Sequence, residues 1–224
     1  MSGLRYVYAV CRPFGTPLSA QLTGVAGVPP KQLTHHGLVA VVGHVPEEDF
    51  AEGPLRAHLE DPDWLGATTR AHQNVIDALT VVTSPLPLRL ATVFRDDSGV
   101  RTMMEQREET FLRTLDRLDG RVEWGVKVYV ESPEEEKREQ AGQFARRLHE
   151  FLSGYAEDSR IHEPQNAALS RASGRNVLNA AYLVPRSESE AFVELVDRRK
   201  DDSPGLHVEL TGPWAAYSFS GEDS

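Results

Sequence analysis

One cysteine, Cys11, stands in 224 residues. A lone thiol excludes an internal disulfide and fits a chain kept in a reducing compartment. No apolar run approaches the ~20 residues that a bilayer-spanning helix needs, so no membrane span is expected. Positive charge is in deficit: 24 Lys and Arg face 34 Asp and Glu, a formal net charge of −10. Proteins whose main partner is nucleic acid concentrate Lys and Arg to displace phosphate counterions, and this balance argues against that class. The basic cluster Arg198-Arg199-Lys200 runs directly into Asp201 and Asp202 and reads as a solvated helix end. Residues 1–10 lack a basic segment ahead of an apolar one, which predicts no secretion signal and, with the single thiol, a cytoplasmic location.

What is present is ordinary globular composition, 40% apolar and 26% charged, in a length that predicts one or two domains. Tyr6-Val7-Tyr8-Ala9-Val10 favours a strand, closed by Pro13, Gly15 and Pro17. An irregular stretch follows, punctuated by Gly24, Gly27, Pro29 and Pro30. Leu38-Val39-Ala40-Val41-Val42 is apolar on both parities, the pattern of a central strand covered on both faces. Beyond Pro46, two acidic stretches predict a helical turn each. Leu65, Thr68, His72, Val75, Ile76, Leu79 and Val82 recur at three and four residues, which predicts a helix ended by Ser84-Pro85. Alternation over residues 86–94 predicts one strand with Pro87 at its start or on an edge. Asp97-Ser98 is the expected cap of a single helix carrying Val100, Met104, Arg107, Phe111, Leu115 and Leu118, with Gly120 as its stop.

The clearest strand covers residues 122–130. Val122, Trp124, Val126, Val128 and Val130 share one parity, while Glu123, Gly125, Lys127 and Tyr129 share the other. Ser132-Pro133-Glu134-Glu135 is a helix-start signature, and Ala141, Phe144, Ala145, Leu148, Phe151 and Leu152 give that helix its apolar stripe, stopped by Gly154. Residues 157–174 are polar, and a loop and a short helix near 167–171 both stay open. Residues 176–184 read as a buried strand. A capping box over Ser187 to Glu190 starts another helix, Asp202-Ser203-Pro204-Gly205 is a turn, and Leu206, Val208 and Leu210 mark a last strand, with an extra strand open beyond Gly212-Pro213. Strand, helix, strand, helix, strand predicts an α+β sandwich of the ferredoxin-like kind, helices on one face.

Chemistry is scarce. His35-His36 with His44 are the closest histidine grouping, but neighbours on a strand point to opposite faces, so the pair cannot share one ion unless it lies in a loop, and no Cys or carboxylate falls at zinc-site spacing beside them. No metal ligand is assigned. His72 lies on an apolar stripe and is expected in the core. Cys11 has no activating partner marked in the sequence. Phosphate-loop, dinucleotide and serine-elbow motifs are absent. Glu47-Glu48 and Asp96-Asp97 read as solvated turn residues, and Met103-Met104 as core. No catalytic residue and no cofactor are assigned, and the expectation is a protein that is not an enzyme. Trp214, Tyr217 and Phe219 lie beyond the last clear strand, where a chain is normally polar. They either complete the second core or form a patch for a partner, and they are the candidate partner-binding residues.

Five blocks, taken together, carry a resemblance. They are Tyr6-Val7-Tyr8-Ala9-Val10, residues 86–94, Val122-Glu123-Trp124-Gly125-Val126-Lys127-Val128-Tyr129, residues 179–184, and Leu210-Thr211-Gly212-Pro213-Trp214-Ala215-Ala216-Tyr217-Ser218-Phe219. In this order the chain resembles the gas vesicle protein L/F family, nearer its F branch. Leu90, where members often carry Phe, and Ala215-Ala216, where prolines are common, are departures. The resemblance implies two domains, residues 1–120 as an α+β domain and residues 121–224 as a modified ferredoxin-like domain. It also implies a non-enzymatic accessory or minor structural protein of the gas vesicle, a gas-filled buoyancy organelle. Such a protein would bind the hydrophobic shell protein and other accessory proteins and help the shell assemble without aggregating. The alternative from a different class is a ferredoxin-like protein that binds or transforms a small molecule; an enclosed pocket with converging polar groups would favour it.

Overall fold

A computed structural model describes residues 3–19, 21–131, 134–164, 174–200 and 205–221. The chain forms two compact units, residues 1–119 with 219–224, and residues 120–218.

In the first unit, β1 (Gly3–Cys11), β2 (Lys31–His35), β3 (Leu38–Pro46), β4 (Leu86–Pro87) and β5 (Val93–Phe94) form an antiparallel sheet in the order β2-β3-β1-β4, with β5 also paired to β1. β3 is hydrogen-bonded on both sides, as its unbroken apolar run requires. β2 lies in the stretch expected to be irregular. It has five residues and buries Leu33 alone, which is too little local periodicity to read.

Helices cover both faces. α1 (Glu47–Phe50), α2 (Glu52–Leu59) and α3 (Pro62–Val82) follow β3; Asp61 caps α3 by accepting from the amides of Asp63 and Trp64. α4 (Asp97–Gln106) and α5 (Glu108–Leu118) place Val100, Met104, Phe111 and Leu115 against Val7, Leu38, Ala40 and Leu88.

Two expected single elements are broken. The strand over 86–94 alternates as far as Leu88, whose amide bonds Tyr8 C=O, and then turns: Ala91 has φ 62° and Thr92 closes back on Arg89. Tyr6 Oη accepts from the Ala91 amide and stabilises that left-handed residue from outside the strand. The helix over 97–118 breaks at Arg107 (φ −116°, ψ 12°), whose guanidinium lies over the Phe111 ring. Its cap is Asp96, accepting from the Gly99 amide, one residue before the expected pair. Asp97 is ion-paired to half-buried Arg5, so this acid pair is structural.

Under α3, the other face of β1 presents Tyr6 and Tyr8 to His72, and Tyr6 also to Phe50, whose ring in turn meets Trp64. Tyr6 Oη, which also accepts from Ala91, is hydrogen-bonded to His72 Nδ1 at 2.9 Å, and Tyr8 Oη accepts from the Val25 amide at 2.8 Å. Burial pushes the Tyr8 hydroxyl up to about 12 and Tyr6 up as well, and it pushes His72 down to about 4. Gly43 is needed here, because a Cβ would stand 2.8 Å from Tyr8 Oη.

The second unit holds β6 (Arg121–Val130), α6 (Glu135–Ser153), β7 (Asp158–Ile161), β8 (Arg175–Pro185), α7 (Ser189–Lys200) and β9 (Leu206–Trp214). The sheet order is β7-β8-β6-β9, antiparallel throughout, which is the split βαββαβ arrangement of a ferredoxin-like fold. β7 is the strand the polar 157–174 segment concealed. The short helix considered near 167–171, the Ser132-Pro133 start and most of the 202–205 turn lie outside the described residues. Val122, Trp124, Val126 and Val128 of β6 pack with Phe144, Leu148 and Leu152 of α6 and Phe192 and Val196 of α7, so both helices cover one face. At the end of α7, Arg198 and Lys200 pair with Glu194 and Asp197, and Arg199 lies over the Phe151 ring.

Among the described residues no extra strand follows Gly212-Pro213. Those two residues form a bulge within β9: Glu123 opposes Trp214 and Gly125 opposes Thr211. Gly212 (φ 128°) is required, since a Cβ there would meet Glu123 C=O at 2.9 Å and the Trp124 ring at 3.0 Å.

Phe192 is buried against Trp124 and Tyr182. Phe192→Ala is expected to destabilise the second unit by about 3–5 kcal/mol, read as a lowered denaturant midpoint. His72 carries the opposite kind of test. Its pKa is depressed on folding, so its stabilisation is present above about 6.5 and lost as pH falls through about 4. That contribution is on the order of 3 kcal/mol, and His72→Gln should flatten the acid limb of stability against pH between those values.

Candidate functional site

The three aromatic residues singled out near the end of the chain do not share one environment. Trp214 ends β9 and is 39% exposed, Tyr217 is half-buried, and Phe219 is fully buried. Phe219 is therefore a core residue in this conformation and presents nothing to a partner. Trp214 is the one that offers apolar area to solvent. Sequence could place all three beyond the last strand; it could not show that a one-turn 3-10 helix, Tyr217–Phe219, rotates the last of them inward.

Between them, Ala215 and Ala216 are buried and Ser218 ties the segment down. Ser218 N–H and Oγ–H donate to the two oxygens of Glu123 at 2.8 and 2.7 Å. With its own proton directed to Glu123, Ser218 Oγ accepts from His162 Nε2 at 3.0 Å. The segment after β9 thus reaches β6 and the residue following β7. Burial raises the Glu123 pKa, while the two Ser218 bonds and Arg160 act in the other direction. Burial, then Arg160, lowers His162.

Serine, histidine and glutamate are assembled here in an order that anchors a chain segment. In a nucleophilic triad the histidine takes the serine proton and the carboxylate holds the histidine. In this arrangement the carboxylate holds the serine. No signal in the sequence marked Glu123, because it sits on the polar parity of β6 and its partner is 95 residues away.

The remaining exposed large apolar side chains fall in both units. The first unit shows Leu59 (40%) at the end of α2 and Val81 (83%) at the end of α3; the second shows Tyr155 (53%) and Ile161 (64%). Ile161 lies on β7, one edge of the four-stranded sheet, on the face it shares with Ala180. Trp214 lies on β9, the opposite edge, on the face it shares with Glu123. Sequence missed Ile161 because β7 itself was illegible.

A cleft of about 670 Å³ in the first unit is lined in part by Arg5, His44, Glu47 and Glu48. Arg5 is committed to Asp97, and Glu47 and Glu48 are exposed in the first turn of α1. Desolvation, Arg5 and Lys31 all lower His44. Cys11 is buried, with its thiol pushed up to about 12 by that burial, which removes the thiolate a nucleophile requires. His149 accepts or donates at Tyr182 Oη, 2.9 Å away beneath α6, and serves packing there. Among the described residues no helix is long and apolar enough to cross a membrane.

The comparisons with known proteins agree in direction. The family model described as gas vesicle synthesis protein GvpL/GvpF matches residues 4–138 and 131–221. Gas vesicle protein L of Streptomyces sp. (strain CB03234) is 52% identical over 249 residues, covering 97% of this chain and 93% of that protein. Gas vesicle protein F of the same strain is 26% identical over 247 residues, covering 96% and 98%. These identities favour the L branch over the F branch towards which the sequence blocks lean. The crystal structure of the gas vesicle protein GvpF from Anabaena sp. PCC7120 superposes with a TM-score of 0.75 at 17% identity, over 100% of this chain and 98% of that one, which establishes the fold. The chain belongs to the gas vesicle synthesis protein GvpL/GvpF family and is a gas vesicle-associated protein.

Proposed function

We propose that this chain is a non-enzymatic accessory protein, of the L branch, that binds the hydrophobic shell protein of the gas vesicle and keeps it dispersed until it joins the growing wall. The family match over nearly the whole chain carries the reading. A shell subunit must hide an apolar face before it is incorporated, since exposed apolar area drives association at ~25 cal/mol per Å². An acidic partner, net charge −10, would cover that face and keep the complex dispersed by charge repulsion. Other accessory proteins of the vesicle are the further partners, and the cytoplasm, at the vesicle, is the place of action.

Trp214 is the residue through which we expect the second unit to contact its partner, with Tyr217 beside it in sequence. An exposed Trp at a strand edge buries a large area on contact at little entropic cost. The segment that carries it is held by Glu123 and Ser218 and so pays little to order.

The test is co-expression of tagged full-length chain with the shell protein. Native chain should retain the shell protein on the affinity resin. Trp214→Glu should reduce retention by about tenfold or more, as for a central interface aromatic, without lowering the chain's own melting midpoint. Equal retention by native and Trp214→Glu chains would remove Trp214 from the interface; no retention by the native chain would remove the proposed role.

A further inference from the structure

The turn between β2 and β3 is closed by His36 and Gly37, both left-handed, with φ 48° and 73°. Two successive positive-φ residues make the tight hairpin turn whose twist matches its strands. One consequence concerns the side chains. On a straight strand His35 and His36 would point to opposite faces; across this turn their rings stack, centroids 4.3 Å apart and planes at 19°.

Facing them, about seventy residues later in the chain, is the junction of α4 and α5. The break at Arg107 leaves Glu105 near the end of one helix and Glu108 at the start of the next. His35 Nε2 lies 2.7 Å from Glu105 Oε1, and His36 Nδ1 lies 3.0 Å from Glu108 Oε2. One donor atom from each of His35, His36 and Glu105 falls within 4.8 Å of the other two. An ion at about 2.0–2.2 Å from each donor draws such atoms somewhat closer than that. Glu105 and His36 are half or more exposed at their side chains, so torsions of these side chains close the gap without moving backbone.

We infer that His35, His36 and Glu105 bind one divalent transition-metal ion, with Glu108 orienting the His36 ring through their hydrogen bond. Two imidazole nitrogens and one carboxylate oxygen suit zinc, nickel, cobalt or copper; magnesium and calcium prefer oxygen donors alone. Three protein donors leave a position for water, and a carboxylate on a ligating histidine fixes its tautomer and raises its basicity. The bound ion would clasp the β2–β3 turn to the α4–α5 junction. Both elements belong to the first unit; beyond the core contact that Leu33 and Leu38 make with α4 and α5, they are joined at this end by the two His–Glu pairs, and such pairs near a surface are worth little alone.

The experiment uses the full chain freed of metal by chelator, titrated with zinc by calorimetry and with cobalt by visible absorption. The expected result is one ion per chain and a melting midpoint that rises with zinc. His35→Gln and His36→Asn should each weaken binding by more than the roughly 10-fold that loss of an outer partner alone costs, and the double variant should lose the zinc-dependent rise. Asn is chosen at 36 because it tolerates the left-handed conformation. His44→Ala, on β3 outside the cluster, should bind as the native chain does. An unchanged metal-free midpoint in the double variant shows that the turn still folds. No uptake at millimolar zinc, or uptake equal in the native chain and the double variant, would overturn the inference.

Discussion

The second unit depends on one strand being hydrogen-bonded along both sides. β6 pairs with β8 over its full length and with β9 over most of it, so the backbone groups it carries into the core find partners in those two ladders except where the register shifts. Its alternation then does two separate jobs. Val122, Trp124, Val126 and Val128 close the core beneath α6 and α7. The opposite parity places Glu123 where it can hold Ser218 and thereby fix the chain that leaves β9. Position and exposure of Trp214 both follow from that pairing, because the Gly212-Pro213 bulge that brings Trp214 opposite Glu123 exists only as an interruption of the β6–β9 ladder. The exposed aromatic is thus held by the same strand that organises the core.

What could be read from the chain was whatever is encoded locally. The periods of β6, β8, α3 and α6 are set by burial of one face or stripe, so they appear in the sequence at the correct places. β2 and β7 are edge strands of five and four residues with one buried side chain between them, and their pairing is decided by β3 and β8. Ala91 and Arg107 break elements whose patterns run straight through them. At Ala91 the agent is Tyr6 Oη, 85 residues away; no local window contains it.

The candidate site residues divide the same way. Trp214 was visible as an aromatic where a terminus is usually polar, and it is exposed. Phe219 carried the same signal and is buried, because one 3-10 turn decides its direction. His35 and His36 could turn to one side only in a loop, and the two-residue left-handed turn that stacks their rings is a feature no strand period marks. Their carboxylate partners, on an interrupted helix, are near only after the first unit has folded.

The proposed role asks this acidic chain, with its exposed Trp214, to meet an apolar partner and keep it in solution. The most direct measurement is sedimentation of the purified shell protein, diluted from denaturant, with and without an equimolar amount of this chain. The account predicts that the shell protein stays in the supernatant when the native chain is present and pellets without it. Equal pelleting in both tubes would contradict it.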